Sequence, residues 1–316
     1  LDPVANTMTI DVVSVNDAPA GADITLSTLE DTPRTFLAAD FGFSDLSDSP
    51  ANTFINVILT TLPATGTITL NGNPVTAGQV VAVTDLPNLV YTPAANLNGT
   101  AVDSFTFQVQ DDGTNANGGV DIDPTPRIVT FDVVSVNDAP AGADNLVSTN
   151  ENIPLSFTIA DFGYTDINDT PADIFEFVVI TGLPANGTLT YLGVGVNPGD
   201  AIPTSDLANL IYTPPLNQNG PAYDSFTFRV RDDGGTSDGG VNTDTTDRTM
   251  TIDVISVNNA PYGTDTTLTT LEDTAYIFTA ADFGFSDIDD VPANNFENVI
   301  ITTLPGAGTL TFSGVP

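Results

Sequence analysis

The sequence predicts an all-β protein built from tandem Greek-key β-sandwich domains. Two observations carry this prediction: an ungapped internal repeat, and short strands with alternating apolar residues. The segment Val15-Asn16-Asp17-Ala18-Pro19 returns at 136–140 and, as Val-Asn-Asn-Ala-Pro, at 257–261, so the period is 121 residues. A repeat of that length is long enough for each unit to have its own core.

The fixed period also sets the domain boundaries. Residues 1–17 are expected to be the last strand of a preceding repeat, and 18–138 and 139–259 are expected to be complete repeats. Residues 260–316 correspond to the N-terminal half of a third repeat. We therefore expect the chain to be a window onto a longer array.

Within one repeat, alternation predicts the strands in order. Early strands are expected near 23–29, 34–39, 53–61, 66–71, 79–83 and 88–92. Later strands carry inward stripes at Phe105, Phe107 and Val109, then at Val129, Phe131 and Val133. Such period-2 patterns mark half-buried strands, and seven or eight short strands in about 100–120 residues are typical of a sandwich. The recurring aromatic residues of these strands are expected to be core.

The charge is extreme and excludes several classes of function. The chain has 41 acidic residues, 36 of them Asp, against five Arg, with no Lys, His or Cys. Such a surface repels nucleic acid and anionic membranes. Without Cys there are no disulfides, and without His the usual zinc ligand and general base are missing. No apolar run approaches a membrane span, so no insertion is expected in this segment.

Counter-cations would relieve the self-repulsion of such a chain, and Asp and Asn recur in loops where oxygen ligands could gather. Singly, these residues could instead be turn or cap residues, or part of a solvated acidic surface. Together, we expect clusters to supply calcium ligands. One cluster is Asp111 and Asp112, matched by Asp232 and Asp233. The other three are Glu30-Asp31, Asp45 and Asp48 with Asn52, and Asn16-Asp17; their equivalents are Glu151, Glu272, Asp166, Asp169, Asp173, Asp287, Asp290, Asn294, Asn137, Asp138, Asn258 and Asn259.

The repeat resembles the cadherin-like repeats of giant bacterial surface proteins and adhesins, which are joined by a Val-Asn-Asp-Ala-Pro motif. The similarity spans essentially the whole chain and includes Tyr91-Thr92-Pro93, Asp103-Ser104-Phe105-Thr106-Phe107 and Asp111-Asp112-Gly113. It implies tandem cadherin-like or Ig-like sandwiches with calcium between consecutive domains.

The resemblance also implies the ligands. These are the early Glu (Glu30, Glu151, Glu272), the Asp-x-x-Asp loop (Asp45 and Asp48, Asp166 and Asp169, Asp287 and Asp290) and the linker (Asn16-Asp17, Asn137-Asp138 and Asn258). Two departures from the cadherin pattern predict one or two ions per repeat rather than three. Val13, Val134 and Ile255 stand where cadherin linkers carry another Asp, and the loop is Asp-x-x-Asp rather than Asp-x-Asp.

These features favour a structural function. We expect a repeat region of a large calcium-binding extracellular protein, an adhesin stalk or a filament or matrix component at the bacterial cell surface, rigidified by calcium. Its partners would be neighbouring repeats of the same chain, with self-association of chains into a filament or matrix as a sub-case. The alternative is a carbohydrate- or surface-binding sandwich. Paired carboxylates can hydrolyse glycosides without His, but these acids are repeated in loops, so no enzymatic activity is expected.

Overall fold

The structure is a computed structural model that describes residues 3–316, and they form two compact units. The first unit holds the chain up to Ala139 together with Asp166–Asp173 and Gly234–Asn242. The second holds Pro140–Thr165, Ile174–Asp233 and Thr243–Pro316. Each unit contains one β-sandwich.

The first sandwich is formed by the residues of the first complete repeat. Its strands are β1 (Ile24–Leu29), β2 (Arg34–Thr35), β3 (Phe54–Leu59), β4 (Thr67–Leu70), β5 (Asn73–Pro74), β6 (Gln79–Ala82), β7 (Leu89–Thr92), β8 (Gly99–Asp111) and β9 (Arg127–Val134). One sheet has the order β1-β9-β8-β3-β6, and the facing sheet has the order β2-β7-β4-β5. β1 runs parallel to β9, whereas the other pairings are antiparallel.

The second sandwich repeats this topology. Its strands are β10 (Asn145–Asn150), β11 (Leu155–Ser156), β12 (Phe175–Gly182), β13 (Thr188–Tyr191), β14 (Val194–Gly195), β15 (Ala201–Pro203), β16 (Leu210–Thr213), β17 (Gly220–Asp232) and β18 (Arg248–Ile255). The sheet orders are β10-β18-β17-β12-β15 and β11-β16-β13-β14, again with a parallel first pair.

The alternating stripes of the sequence form the core between the two sheets. Phe105, Phe107 and Val109 of β8 pack with Val129 and Phe131 of β9, and all are at most 1% exposed. Phe226, Phe228 and Val230 do the same in the second sandwich. Tyr91 and Tyr212 are also fully buried, as the sequence predicted for the recurring aromatic residues.

The helices of the described residues are short 3-10 turns, and none is long or apolar enough to cross a membrane. They are Ala38–Phe41, Val83–Asn88, Ala116–Gly118, Ile159–Phe162, Thr204–Asn209, Ser237–Gly239 and Ala280–Phe283. The strand expected over 34–39 is shorter than predicted, because the chain enters the first of these turns. Asp40 accepts the Leu37 N–H there and fixes the start of the turn.

The two incomplete repeats are not sandwiches in the structure. Of the strand expected in residues 1–17, Leu1 and Asp2 lie outside the described residues, and residues 3–17 form no strand. Met8, Ile10 and Val12 of its apolar stripe are 87%, 77% and 90% exposed. Residues 260–316 contain the last 3-10 turn and isolated bridges, with apolar residues such as Ile277 largely exposed. In both segments the apolar stripe has no facing sheet among the described residues.

Candidate metal centre

The first acid of the Asp-x-x-Asp loop has the same unusual environment in all three repeats. Asp45, Asp166 and Asp287 lie just beyond a 3-10 turn and are 5%, 9% and 4% exposed. One oxygen, Oδ2, accepts the backbone N–H of the residue seven positions later, at 2.5–2.7 Å. The other oxygen, Oδ1, is buried without a hydrogen-bond partner. A buried carboxylate oxygen without a hydrogen-bond donor is energetically costly, and its recurrence in all three repeats makes this oxygen a candidate cation ligand.

The second acid of the loop holds the linker motif. Asp48 accepts the backbone N–H of Asp17 at 2.9 Å, and Asp169 accepts that of Asp138 at 3.0 Å. Asp290 accepts the N–H of Asn259 at 2.9 Å in the same way. The sequence predicted that loop and linker contribute to one site, and the structure brings them together.

The loop of the second repeat, which belongs to the first unit, concentrates the most charge. Asp166, Asp169 and Asp173 each offer a carboxylate oxygen within 4.8 Å of the others. Burial, together with Asp166 and Asp173, raises the pKa of Asp169 to about 7, although the Asp138 N–H acts against this shift. Burial also raises the pKa of Asp138, followed by the charges of Asp31, Glu30 and Asp166. We call Asp138, Asp166, Asp169 and Asp173 the acidic cluster.

The early glutamates Glu30 and Glu151 lie beside the linker, and their oxygens accept hydrogen bonds from it and from a neighbouring asparagine. Glu30 is 3% exposed, and its Oε1 accepts the Val136 N–H and the Ser135 hydroxyl, the latter at 3.1 Å. Its Oε2 accepts the Asn98 side-chain amide at 3.3 Å. Glu151 accepts the Val257 N–H at 2.7 Å and the Asn219 amide at 3.1 Å. These glutamates therefore anchor the linker backbone.

Glu272, the third early glutamate, lies in the open segment after the second sandwich. It is exposed, and no hydrogen bond joins its carboxylate to another described residue. The structure therefore does not bring it to a cluster.

The Asp-Asp-Gly pair divides into two environments. Asp111 is 1% exposed; its Oδ1 accepts the Gly113 N–H at 2.9 Å, and its Oδ2 is buried without a partner. Burial raises its pKa, and the charge of nearby Asp45 adds to this effect. Asp232 is equally buried. Asp112 and Asp233 are exposed and accept the backbone N–H groups of Thr53 and Ile174 at 2.6 and 2.7 Å, so they fasten loops instead.

The linker asparagines fix these loops through their amides. Asn16 donates to the Val120 carbonyl at 2.6 Å and to Asp111 Oδ1 at 3.3 Å. Asn137 donates to the Gly235 and Val241 carbonyls at 3.2 and 2.8 Å. Asn258 accepts the Asn294 amide at 2.6 Å. Each asparagine ties the linker to the loops that carry the acids.

Other buried acids, not singled out from the sequence, hold the fold together. Asp103 accepts the N–H groups of Ala64, Gly66 and Ser104 and the Tyr91 hydroxyl, at 2.7–3.1 Å. Asp224 repeats this arrangement with Tyr212. Asp123 and Asp244 pair with Arg127 and Arg248. The repeated Asp-Ser-Phe-Thr-Phe motif contained the signal, since its Asp faces inward with the Phe residues.

The donor set of the clusters consists of carboxylate and amide oxygens. Such hard oxygen ligands suit Ca²⁺, which takes six to eight oxygens in flexible geometry. The unpaired oxygens of Asp45, Asp111, Asp166 and Asp287 supply sites that no protein donor fills among the described residues. The residues present therefore fit a divalent cation of this class.

Comparison with solved structures finds cadherin repeats. The chain is similar to EC1-2 of human mucin-like protocadherin, with 15% identity over 76% of this chain and 98% of that one, and a TM-score of 0.37. It is also similar to EC1-2 of human protocadherin-24, with 14% identity over 74% of this chain and 97% of that one, and a TM-score of 0.41. A third similar structure is EC21-23 of human CDH23, with 13% identity over 77% of this chain and 76% of that one, and a TM-score of 0.36.

None of the curated protein sequences matches the chain significantly. The family model of the bacterial Ig domain matches twice, at residues 16–123 and 137–246, which is more than half of the chain. Each match starts at the linker asparagine and covers one sandwich of the structure up to its last strand. The prediction of tandem cadherin-like or Ig-like β-sandwiches is thereby confirmed, and the chain belongs to the bacterial Ig domain family.

Proposed function

We propose that this chain is a structural region of an extracellular, calcium-binding surface protein, in which calcium stiffens consecutive repeats. The observation that carries the proposal is the buried, unpaired carboxylate oxygen that recurs at Asp45, Asp166 and Asp287. A buried carboxylate oxygen without a partner lowers the stability of the folded protein. Because this feature returns in every repeat, it supports cation binding by these loops over a solvated acidic surface.

Specific residues would hold the ion. In the second repeat these are Asp166, Asp169 and Asp173, with Asp138 beside them. In the first repeat they are Asp45, Asp48 and Asp111, and in the third Asp287 and Asp290. A bound calcium ion would supply positive charge against these carboxylates.

The hydrogen bonds of the first unit suggest how calcium binding would stiffen the array. The acidic cluster contains linker and loop residues, and the neighbouring linker backbone is fastened to Glu30. A cation held by the cluster would therefore fix the linker at both ends. Extracellular calcium modules have Kd values of roughly 10⁻⁴–10⁻³ M. At free calcium about ten to a hundred times Kd, each site contributes about 1.4–2.7 kcal/mol.

Small-angle X-ray scattering tests this function. We expect the maximum dimension of the chain to be larger and better defined in about 2 mM CaCl₂, a concentration suited to such modules, than in EGTA. The variant Asp166→Asn/Asp169→Asn should keep the EGTA profile in both buffers.

The matched control is Asp45→Asn/Asp48→Asn, which changes the equivalent loop of the first sandwich. It should keep the calcium response, because the linker that this loop holds is Asn16-Asp17, which precedes the first sandwich instead of joining it to the second. An unchanged maximum dimension in wild-type protein on adding calcium would overturn the proposal.

The setting of the protein is part of the same proposal. Bacterial Ig domains are typical of extracellular structural and adhesion proteins, which supports a stalk, filament or matrix component at the cell surface. Adhesion domains of this type are typically not enzymes, and tandem repetition suits length rather than catalysis. The recurring aromatic residues Tyr91 and Tyr212 are fully buried, so these two rings offer no platform for a carbohydrate.

A further inference from the structure

The second sandwich departs from the other repeats at one spot on its outer surface. Phe177 of β12 stands where the neighbouring repeats have Asn56 and Asn298. Its neighbour across the sheet, Arg231 of β17, stands where the first repeat has Gln110. Both face away from the core, since the alternating residues Val178 and Val230 are fully buried in it. Two paired changes at one position of a strict repeat indicate a local role.

Arg231 differs from the other cations of the protein. Arg34, Arg127, Arg229 and Arg248 each form an ion pair with an aspartate at 2.6–3.3 Å. Within residues 3–316, Arg231 has neither an ion pair nor a side-chain hydrogen bond. Its guanidinium lies over the Phe177 ring, 4.0 Å from the centroid. In a chain of 41 acidic residues, one cation is thus held on an aromatic ring instead of a carboxylate.

In the first repeat, the residues at the equivalent positions are hydrogen-bonded to one another. There the Asn56 side-chain amide donates to Gln110 Oε1 at 2.9 Å, and Gln110 Nε2 donates to Asp121 Oδ2 at 2.9 Å, so the polar side chains satisfy each other. In sequence, Asn242 takes the place of Asp121 in the second repeat. The exchange of Gln for Arg adds a charge, and the exchange of Asp for Asn removes the acid that would have neutralised it.

The stacking selects the chemistry of a ligand. A guanidinium over an aromatic face is oriented by the cation–π contact, and its planar N–H fork remains suited to a carboxylate. The guanidinium covers one face of the Phe177 ring, so that face is not free to stack on a sugar. The site therefore favours an anion with planar oxygens that approaches from solvent.

We propose that Arg231 on Phe177 is a carboxylate-binding site that docks acidic side chains of a second copy of this chain. Charge complementarity identifies the occupant: the net charge of −36 makes another copy a dense source of carboxylates. At an ionic strength of about 0.15 M, the screening length of roughly 8 Å suppresses repulsion between copies but not a direct contact. The site lies on the sheet surface, and neither Arg231 nor Phe177 belongs to the acidic cluster.

Sedimentation equilibrium of the full chain in about 0.15 M NaCl, with and without calcium, tests the site. We expect weak self-association, and Arg231→Gln should lower the association constant by about three- to tenfold, as for a well-formed ion pair. Arg231→Lys keeps the charge but not the planar fork, and it should lose most of the same affinity. Both variants should melt at the wild-type temperature.

Arg229→Gln is the matched control, because it removes the same charge from the same strand but from an arginine already paired with Asp247. It should leave association unchanged. Equal losses in both glutamine variants, or full association by Arg231→Lys, would show a net-charge effect and overturn the site. Wild-type protein that stays monomeric would also overturn the site. The same holds if the ¹⁵N-arginine NMR signal of Arg231 shifts on adding polygalacturonate but not on raising the protein concentration. The calcium function is tested separately by small-angle scattering, so a negative sedimentation result would overturn the Arg231 site without bearing on calcium binding.

Discussion

Buried aspartates meet two different environments in these sandwiches. Asp103 and Asp224 are surrounded by donors: burial alone would raise their pKa, but the backbone N–H groups of the facing turn lower it below the usual value. For Asp111 and Asp169, burial and neighbouring carboxylates raise the pKa. The same residue type thus stabilises the fold in one place and, in the other, forms the acidic sites that we propose hold a cation.

The raised pKa of Asp169 predicts a pH dependence. Its value of about 7 in the folded protein lies above the unfolded value of about 3.9, so the protonated form is favoured by folding. In EGTA, the stability contributed by this group is present below pH 4 and is lost as pH rises through 7. Calcium needs the deprotonated carboxylate, so its affinity should fall roughly tenfold or more from pH 7.5 to pH 5.5.

Isothermal titration calorimetry at pH 6.5, in two buffers of different ionisation enthalpy, measures the proton released on calcium binding. Asp169→Asn should lower that release, and the remainder should come from Asp138 and Asp111, whose pKa values are also raised. Asp112→Asn is the control, because Asp112 is exposed and fastened to the Thr53 N–H outside the acidic cluster. Calcium affinity that is equal at pH 5.5 and 7.5 would contradict the assignment.

At the scale of elements, Asp103 connects the two sheets of the first sandwich. It lies in β8, accepts N–H groups of the turn before β4, and holds the hydroxyl of Tyr91 in β7. Asp103→Ala leaves these buried donors unpaired and should lower the free energy of unfolding of that sandwich by about 3–5 kcal/mol. Tyr91→Phe removes one charge-assisted bond and should cost about 1–3 kcal/mol.

Chemical denaturation with and without calcium checks this prediction. The losses should be the same in both buffers, because these residues lie outside the acidic cluster. Tyr212→Phe is the matched control in the second sandwich and should lower only the stability of that sandwich. Rescue of Asp103→Ala by calcium would argue against a purely structural role.

Much of each sandwich could be predicted from the sequence, because side-chain alternation is a local signal. The stripes at Phe105 and Val129 are core, and expected strands such as 53–61 match Phe54–Leu59. The parallel pairing of β1 with β9 was not predicted, since it joins residues about a hundred positions apart. Two-residue strands such as β5 are too short to show a period.

The candidate site was predictable to the level of loops but not of individual oxygens. The Asp-x-x-Asp loop and the linker were expected together, and Asp48 and Asp169 hold that linker. The sequence could not show that Asp112 would take a backbone donor while Asp111 would be buried, because adjacent strand residues point to opposite faces. Nor could the sequence show that the Glu30 carboxylate would accept a hydrogen bond from the linker backbone.

At the scale of the whole molecule, the net charge of −36 opposes compaction everywhere, whereas the acidic cluster opposes it at one place. Dispersed charge responds to ionic strength, because salt screens exposed charges beyond a Debye length. A cluster of buried oxygens responds to the identity of the cation. Melting experiments can therefore separate the two effects.

In EGTA, raising NaCl from about 0.02 to 0.5 M should raise the melting temperature by a few degrees through screening. At constant ionic strength, about 10 mM CaCl₂, which is ten to a hundred times a Kd of roughly 10⁻⁴–10⁻³ M, should raise the melting temperature by roughly 3–10 °C, as expected for a site that contributes about 1.4–2.7 kcal/mol. MgCl₂ should add less, because Mg²⁺ demands octahedral geometry and gives up its water reluctantly. Asp166→Asn/Asp169→Asn should lose calcium stabilisation of the second repeat but keep the NaCl response. If magnesium matched calcium in wild-type protein, the acids would be a solvated surface and not a calcium site.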